Sequence, residues 1–279
     1  MKDFKDKVLV VTGAADGIGR ALALEGAQKG MKVVINDIDA NGLNETESQV
    51  KAFGAECASL AGDISLLAVV QSLYKLAMDS FGKIHMLVNN AGVAVSGPIW
   101  ELPLQDIDWI TDVNLRSHAY GLRVFLPTMI AQGEPCAVIN VASGAGLMTS
   151  PSAPMYHTTK FADVALAEST YLGLKASGHN HVQMHVLCPA FVKTHIHESD
   201  KHRPERYADM SDSYYQSQTY HSGLIRSAHS VHTGIDIDSV GMTVFTSVEE
   251  NNFFILTHPE IKIPAGQRVK RLLDGDNPA

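Results

Sequence analysis

The sequence predicts a single doubly wound α/β domain built on a mostly parallel seven-stranded sheet. Short apolar segments alternate with longer segments of helical periodicity, as strand–helix–strand crossovers require. Several apolar segments contain almost no polar residues, which is typical of strands covered by helices on both faces. The 279 residues would fit one large domain or two small ones, and the alternation shows no internal repeat or linker.

Short apolar segments are assigned as strands, and the segments of helical periodicity between them are assigned as helices. The predicted strands span residues 7–11, 32–36, 56–60, 85–89, 136–142, 182–187 and 253–257. The predicted helices span residues 17–29, 41–53, 65–81, 104–131, 154–177 and 236–249. Because such sheets bind ligands beyond the carboxyl ends of their strands, functional residues are expected directly after each strand.

Charge and cysteine content restrict the classes of function. A formal net charge of -8 argues against nucleic acid or an anionic membrane as a partner. The first apolar segment is too short for a signal peptide, and no segment approaches the length of a membrane span. Cys57, Cys136 and Cys188 show no paired spacing, so we expect reduced, buried thiols in a cytoplasmic protein. A catalytic cysteine is the less favoured alternative.

A glycine-rich turn, TGAADGIG at residues 12–19, follows the first strand and opens the first helix. Gly13 allows a tight turn, whereas Gly17 and Gly19 allow a pyrophosphate to approach and the helix to pack on the strand. The start of the helix adds N–H groups and a dipole that favour phosphate. Three glycines at fixed spacing arise by chance in roughly one chain in ten. The strand–turn–helix context therefore carries the prediction of a Rossmann-type dinucleotide site.

Asp37 ends the second strand, where a carboxylate can accept both hydroxyl groups of an adenosine ribose. The same charge would repel a 2′-phosphate, and no Arg or Lys at positions 14–16 or 38–41 would neutralise it. The sequence therefore predicts NAD rather than NADP. A turn residue or a helix cap is the alternative interpretation of Asp37, and it explains less of the pattern.

Tyr156 and Lys160 begin a predicted helix and lie four residues apart, on one face of it. A free tyrosine is protonated at neutral pH and is a poor base there. A nearby ammonium group and a positive nicotinamide ring would favour the phenolate. The same lysine could bind ribose hydroxyls. Because this spacing is common on surface helices, the interpretation depends on the other motifs.

The order of these motifs resembles that of the short-chain dehydrogenase/reductase family. The glycine turn is similar to the family pattern Thr-Gly-x-x-x-Gly-x-Gly, and Ser143 precedes Tyr156 by the family's thirteen positions. Asn114 matches the family asparagine that kinks its helix. The resemblance covers about residues 5–195 and weakens beyond them. It implies a catalytic set of Asn114, Ser143, Tyr156 and Lys160.

The resemblance also implies which residues bind the cofactor. Asp63 and Ile64 match a pair that contacts adenine, and the Asn-Asn-Ala-Gly motif at residues 89–92 matches one that stabilises the sheet and lines the cofactor. Residues 189–194 match the segment that meets the nicotinamide carboxamide, although Ala190 replaces the usual glycine. The implied cofactor-binding residues are Gly13, Asp16, Gly17, Ile18, Gly19, Asp37, Asp63, Ile64, Asn90, Ala91, Gly92, Tyr156, Lys160, Pro189, Val192 and Thr194.

The mechanism that the resemblance implies is direct hydride transfer between a substrate carbon and nicotinamide. Tyr156 would exchange the hydroxyl proton, and Ser143 would stabilise the developing oxyanion. Lys160, with Asn114 and a water molecule, would restore the proton, and no metal would be required. The implied substrate is a small-molecule secondary alcohol or ketone. The implied assembly is a homodimer or homotetramer packed through the 104–131 and 154–177 helices.

Residues 191–234, called the insert below, interrupt the alternation of strands and helices. They are polar, rich in His and Tyr, and without a clean period, which is typical of a substrate lid or a mobile loop. We expect the insert to be mobile without ligand and to close over the nicotinamide. Its aromatic residues would suit an apolar or aromatic alcohol, and a self-packed surface loop is the alternative. These residues are Tyr207, Met210, Tyr214, Tyr215 and Tyr220.

Histidines are concentrated in the second half of the chain, where His195 and His197 stand two residues apart. Neither a cysteine nor a third ligand follows at a familiar spacing, so hydrogen-bonding or solvated histidines are favoured over a metal site. His157 lies one position from the catalytic face and is expected to be structural.

Some details are similar to one branch of the family, the Cα-dehydrogenases that act on lignin-derived aryl ethers. They are the start at residues 1–4, the Asp-Trp-Ile sequence at 108–110, and Arg203-Pro204 followed by Tyr207. A non-catalytic dinucleotide sensor on the same fold is the alternative function, and it would not need the catalytic set. A sugar-nucleotide epimerase or dehydratase would need a larger substrate domain.

Overall fold

All seven predicted strands occur in the computed structural model, which describes residues 1–278. They pair in the order β3-β2-β1-β4-β5-β6-β7, and each pairing is parallel. The strands are β1 Val8–Thr12, β2 Lys32–Asp37, β3 Cys57–Ala61, β4 Met86–Asn89, β5 Cys136–Val141, β6 Val182–Leu187 and β7 Phe254–Ile255. The prediction of a doubly wound sheet is thus confirmed, and the sheet is parallel throughout.

Helices cover both faces of this sheet. Within residues 1–278 they are α1 Gly17–Gln28, α2 Ala40–Ala52, α3 Leu67–Phe81, α4 Leu104–Thr111, α5 Ser117–Gln132, α6 Pro154–Ala176, α7 Gln218–His232, α8 Asp238–Glu250 and α9 Lys262–Asp274. Leu22 of α1 and Phe245 of α8 pack on one face, whereas Leu73 of α3 and Phe125 of α5 pack on the other. The two apolar layers hold the carboxyl ends of the strands at one fixed edge.

The predicted helix at residues 104–131 is interrupted at Asp112–Arg116 by a π-helical turn that separates α4 from α5. Asn114 lies in the middle of this turn and is fully buried. Single π turns are frequent at functional sites because they reorient side chains within a helix. The turn occurs at the kink that the family resemblance implied.

The insert has more regular structure than its sequence suggested. It contains α7 and three short 3-10 segments, Ile196–His202, Glu205–Tyr207 and Ser213–Gln216. Tyr207, Tyr214 and Tyr215 are buried in a third apolar cluster with Trp109 of α4. The aromatic residues therefore give the insert a packing face that its lack of a clean period did not predict.

Helix α9 was also not predicted, and none of its residues is buried. Among residues 1–278 there is no helix with both the length and the apolar character that a membrane span needs.

Candidate active site

A cleft of about 650 Å³ opens at the carboxyl edge of the sheet, beside the boundary between β1 and β4 where the strand order reverses. It is lined by the segments that follow the strands and by part of the insert. The predicted cofactor-binding residues that line it are Gly13, Asp16, Gly17, Ile18, Asp37, Asp63, Ile64, Asn90, Ala91, Gly92, Tyr156, Lys160, Pro189, Val192 and Thr194.

The glycine turn is held against the end of β4. Gly13 has a φ of +65°, and a Cβ at this position would lie 2.7 Å from Ala91 Cα. Asn90 Nδ2 donates to the carbonyls of Thr12 and Gly13, at 2.9 Å each. Gly19 is not in the cleft lining, but its Cβ would lie 2.0 Å from the Gly13 carbonyl oxygen. Gly13 and Gly19 are thus needed for the turn itself.

The Asp37 carboxylate already accepts two main-chain hydrogen bonds. Ala15 N–H donates to Oδ2 at 2.8 Å, and Asp39 N–H donates to Oδ1 at 2.9 Å. Burial raises the pKa of this carboxyl group, and the two N–H donors oppose the shift. Each oxygen keeps a further lone pair for a hydroxyl donor.

Arg20 is the guanidinium group beside this end of the cleft. Its Nε donates to Thr46 Oγ1 at 2.9 Å, and Nη2 donates to the carbonyls of Ala15 and Gly42. Nη2 also pairs with Glu45 at 3.3 Å. These acceptors fix and partly neutralise the cation, so it is not arranged to receive a phosphate.

The insert reaches this end of the cleft through one ion pair and one hydrogen bond that the sequence did not reveal. Arg206 Nη1 donates to Asp63 Oδ2 at 2.6 Å. Asp63 Oδ1 accepts from Ser65 N–H and Oγ, at 3.0 and 2.7 Å. His195 Nδ1 lies 2.6 Å from Asp16 Oδ2, next to the glycine turn. The insert therefore contacts the segments that follow β1 and β3.

Tyr156 and Lys160 lie together on α6 at the other end of the cleft. Lys160 Nζ is 5.8 Å from the centroid of the Tyr156 ring and donates to the Val141 carbonyl at 2.8 Å. Lys160 is almost fully buried. An ammonium group has three donors, so two remain for other acceptors. Within residues 1–278 the Tyr156 hydroxyl makes no hydrogen bond, although the ring lines the cleft.

Asn114 lies behind the cleft rather than in its lining. Its Oδ1 accepts from Val93 N–H at 2.8 Å, and its Nδ2 donates to the Val93 carbonyl at 2.9 Å. A Cβ on Gly92 would lie 3.5 Å from Asn114 Oδ1 and 3.6 Å from Lys160 Nζ. The absence of a side chain at Gly92 therefore leaves space beside both groups.

Ser143 follows β5 and lines the same cleft. Its Oγ accepts from Ala145 N–H at 3.1 Å and makes only a long 3.4 Å contact to the Pro189 carbonyl. One lone pair is thus used, and the hydroxyl proton is weakly engaged. This arrangement leaves Ser143 able to donate to a substrate oxygen.

His157 holds the Ser143 segment against α6, which agrees with the structural role expected for it. Its Nδ1 is 2.9 Å from the Ala145 carbonyl, and Ser150 N–H lies 3.0 Å from Nε2. A carbonyl accepts only and a main-chain N–H donates only, so Nδ1 carries the proton and Nε2 is the acceptor. Through these two hydrogen bonds His157 connects α6 with residues 145–150, which follow β5.

A buried polar network beneath the cleft was not found from the sequence. His118 Nε2 donates to the Ala91 carbonyl at 3.1 Å, and Nδ1 lies 3.0 Å from both carboxyl oxygens of Asp163. Asn140 Nδ2 also donates to Asp163, at 2.9 Å. The signal was polar residues such as Asn140 inside an otherwise apolar strand.

The tyrosines of the insert face away from the cleft, contrary to expectation. Tyr215 donates to buried Asp106 at 2.7 Å, and Tyr220 donates to Asp200 at 2.7 Å. Arg203 pairs with both carboxylates and lies 4.1 Å from the Trp109 ring centroid. The insert residues that do line the cleft are Phe191, Val192, Thr194, His195, Ile196, Glu198, Ser199, His202, Pro204, Gly223, Arg226, Ser227, Ser230 and Val231.

The histidines and cysteines give no alternative reactive centre in the described part of the chain. His197 lies 5.2 Å from His232 between ring centroids, but residues 1–278 contain no group of three or more His, Cys, Asp or Glu side chains arranged for a metal. Burial raises the pKa of Cys136 to about 11 and that of Cys188 to about 12. Thiolate, the nucleophilic form, is therefore scarce at neutral pH.

Comparison with known proteins agrees with this geometry. The short chain dehydrogenase family model matches residues 7–205, and the chain belongs to this family of oxidoreductases. A CLA biosynthesis dehydrogenase/reductase of Lactiplantibacillus plantarum is 42% identical over 278 residues, covering 100% of this chain and 97% of that protein. A C alpha-dehydrogenase of Sphingobium sp. strain SYK-6 is 31% identical over 284 residues, covering 100% of this chain and 89% of that protein.

A solved structure from Burkholderia phymatum is similar throughout. It is a short chain dehydrogenase/reductase in complex with NAD, 37% identical, with a TM-score of 0.96. The match covers 100% of this chain and 98% of that one. The family resemblance that the motifs implied is thus confirmed.

Proposed function

We propose that this protein is an NAD-dependent oxidoreductase that interconverts a secondary alcohol and a ketone, with Tyr156 as the acid/base. The single observation that carries the proposal is the convergence of Ser143, Tyr156 and Lys160 on one cleft that also holds the glycine turn and Asp37. The NAD complex of the similar Burkholderia protein supports the choice of cofactor.

The residues of the cleft fit a dinucleotide. The Asp16 side chain does not cap α1, so the first N–H groups of this helix are available to a pyrophosphate. The spare lone pairs of Asp37 suit ribose hydroxyls, and the acceptors that engage Arg20 remove the cation that a 2′-phosphate would need. These features support NAD over NADP.

Bound NAD supplies a hydride acceptor for alcohol oxidation. The chain's residues perform the proton chemistry: Tyr156 Oη removes the hydroxyl proton, and Ser143 Oγ donates a hydrogen bond to the same oxygen as its charge develops. Lys160 places an ammonium group beside this ring, with Nζ 5.8 Å from the ring centroid. Asn114 fixes the Val93 main chain and the space beside Lys160, where a water molecule can relay the proton.

The insert is proposed to cover the bound ligands. Its contacts with Asp16 and Asp63 lie at the cofactor end, and α7 lies at the substrate end. Closure would exclude water, which favours hydride transfer. Because the buried tyrosines do not line the cleft, they no longer support an aromatic substrate.

Replacing Tyr156 with Phe tests the proposal. We expect turnover of secondary alcohols to fall about 10²–10⁴-fold, the usual contribution of a general acid/base. The Kd for NAD should change little, because the ring is kept. Tyr171→Phe, on the same helix but outside the cleft lining, is the matched control and should keep its activity. Near wild-type turnover by the Tyr156→Phe variant would contradict the mechanism.

A further inference from the structure

One face of α7 is turned into the cleft. Five of its residues, Gly223, Arg226, Ser227, Ser230 and Val231, are spaced as one helical face and line the cleft. Val231 is the one large apolar side chain among them and is buried, whereas Arg226, Ser227 and Ser230 are polar. A helix of the insert therefore presents one guanidinium group and two hydroxyl groups to the bound ligands.

This face belongs to the substrate end of the cleft. A Cβ on Gly223 would lie 3.0 Å from Ser96 Cβ, so the start of α7 packs directly on the segment after β4. Gly97 N–H, next in sequence, donates to the Ser152 carbonyl at 2.8 Å. Ser152 stands four residues before Tyr156 and lines the cleft. Helix α7 thus lies beside the catalytic end and not beside Asp37.

The charge of Arg226 is not neutralised by a partner within residues 1–278. Its guanidinium group makes no hydrogen bond or ion pair there, and the residue is exposed. Four of the carboxylates in the lining, Asp16, Asp37, Asp39 and Asp63, follow β1, β2 and β3, and Glu198 pairs with Lys201. The lining's other Lys or Arg side chain, Lys160, already donates to Val141.

We propose that Arg226, assisted by Ser227 and Ser230, binds a carboxylate group on the substrate, an inference that rests on the proposed function. A planar guanidinium pairs with a carboxylate through two parallel hydrogen bonds. The single positive charge of Arg226 therefore matches a substrate that carries one carboxylate. Val95 and Met148 line the same cleft. Their apolar side chains suit an apolar segment of the substrate between its carboxylate and its reacting alcohol or ketone group. The substrate class is then a hydroxy carboxylic acid, or the corresponding keto acid.

Calorimetry tests the subsite without requiring turnover. The probes are para-acetylbenzoate and its neutral methyl ester, each titrated into protein saturated with NAD, where the ketone cannot be reduced. We expect wild type to bind the acid up to about fivefold more tightly than the ester, as one charge-assisted pair at an exposed site allows. In Arg226→Gln this preference should disappear, and in Arg226→Lys it should be partly kept. Added salt should weaken only the binding of the acid.

The control is Lys2→Gln, which removes the same charge from an exposed residue outside the cleft lining and should keep the preference. Equal binding of acid and ester by wild type would overturn the proposal. So would an equal loss for both probes in Arg226→Gln, or weakened NAD binding in that variant with unchanged acid preference. Failure of the proposed function is seen separately, as absence of turnover by wild type of both alcohols that correspond to the two probes, 4-(1-hydroxyethyl)benzoate and its methyl ester.

Discussion

At the scale of single residues, we expect cofactor choice to depend on the Asp37 carboxylate. Its oxygens accept from the N–H groups of Ala15 and Asp39, which fixes the position of its charge at the end of β2. We expect wild type to prefer NAD by kcat/KM. Asp37→Ser should lower the ratio of kcat/KM with NAD to kcat/KM with NADP by at least about tenfold. The reason is that juxtaposed like charges cost several kcal/mol. Paired kinetics with NAD and NADP measure it, and a wild-type preference for NADP would contradict the assignment.

Some site residues could be predicted from the sequence, whereas others are recognised only from the tertiary structure. Tyr156, Lys160, Ser143 and Asp37 could be predicted as site residues because each stands at a characteristic place in the order of strands and helices. Arg226 was not found, since its importance depends on having no partner, which only tertiary packing decides. His118 and Asp163 were missed for the same reason, because they are 45 residues apart in the chain.

At the scale of elements, α7 escaped prediction because its helical face is not apolar. Hydrophobic periodicity detects helices that pack on a core. The inner face of α7 lines a cleft instead and carries one Gly, one Arg and two Ser beside a single large apolar residue, Val231. The tyrosines before α7 had no readable period because they are distributed over short 3-10 segments, where spacing changes from turn to turn.

The buried ion cluster around Arg203 anchors the insert. Arg203 Nη1 donates to Asp106 Oδ1 at 2.5 Å, and both side chains are almost completely buried. In Arg203→Gln, Asp106 would remain buried without its cation, a loss of about 3–5 kcal/mol. We therefore expect amide hydrogen exchange in residues 200–220 to accelerate by at least about 10²-fold, while exchange in β1 and β4 stays slow.

Lys201→Gln is the control for that experiment, because Lys201 pairs with Glu198 while largely exposed. Surface pairs contribute at most about 1 kcal/mol, so exchange should change little. Exchange that is already fast in wild type across residues 200–220 would instead support the mobile lid that the sequence suggested. Slowing in residues 191–199 and α7 on adding NAD with substrate would support closure over the ligands.

At the scale of the whole molecule, the sheet could be predicted almost completely from the sequence. Its strands are buried on both faces, so their segments are apolar and stand out from the helices between them. β7 was the least predictable strand, since only Phe254–Ile255 pairs with β6. The strand order was not predicted from the sequence. In the structure it reverses between β1 and β4, and this reversal places the cleft.

The sheet interior also contains a titratable group that couples stability to pH. His185 of β6 is fully buried, and its Nδ1 donates to the Asn252 carbonyl at 2.8 Å, whereas its buried Nε2 has no hydrogen-bond partner within residues 1–278. Burial lowers the pKa of His185 to about 4, whereas the unfolded chain has a value near 6.5. Between these two values the unfolded state binds more protons than the native state, so acid favours unfolding.

We expect the stability that depends on neutral His185 to be complete above pH 6.5 and to be lost as the pH falls towards 4. The loss is on the order of 3 kcal/mol at the acid end. In His185→Asn the amide can still donate to the Asn252 carbonyl but does not titrate. The free energy of unfolding of this variant should therefore fall less as the pH is lowered. Burial also lowers the pKa of His85, so some slope should remain in the variant. Urea denaturation at several pH values gives the free energy of unfolding as a function of pH for wild type and variant. Parallel curves for the two proteins would show that His185 does not titrate on unfolding.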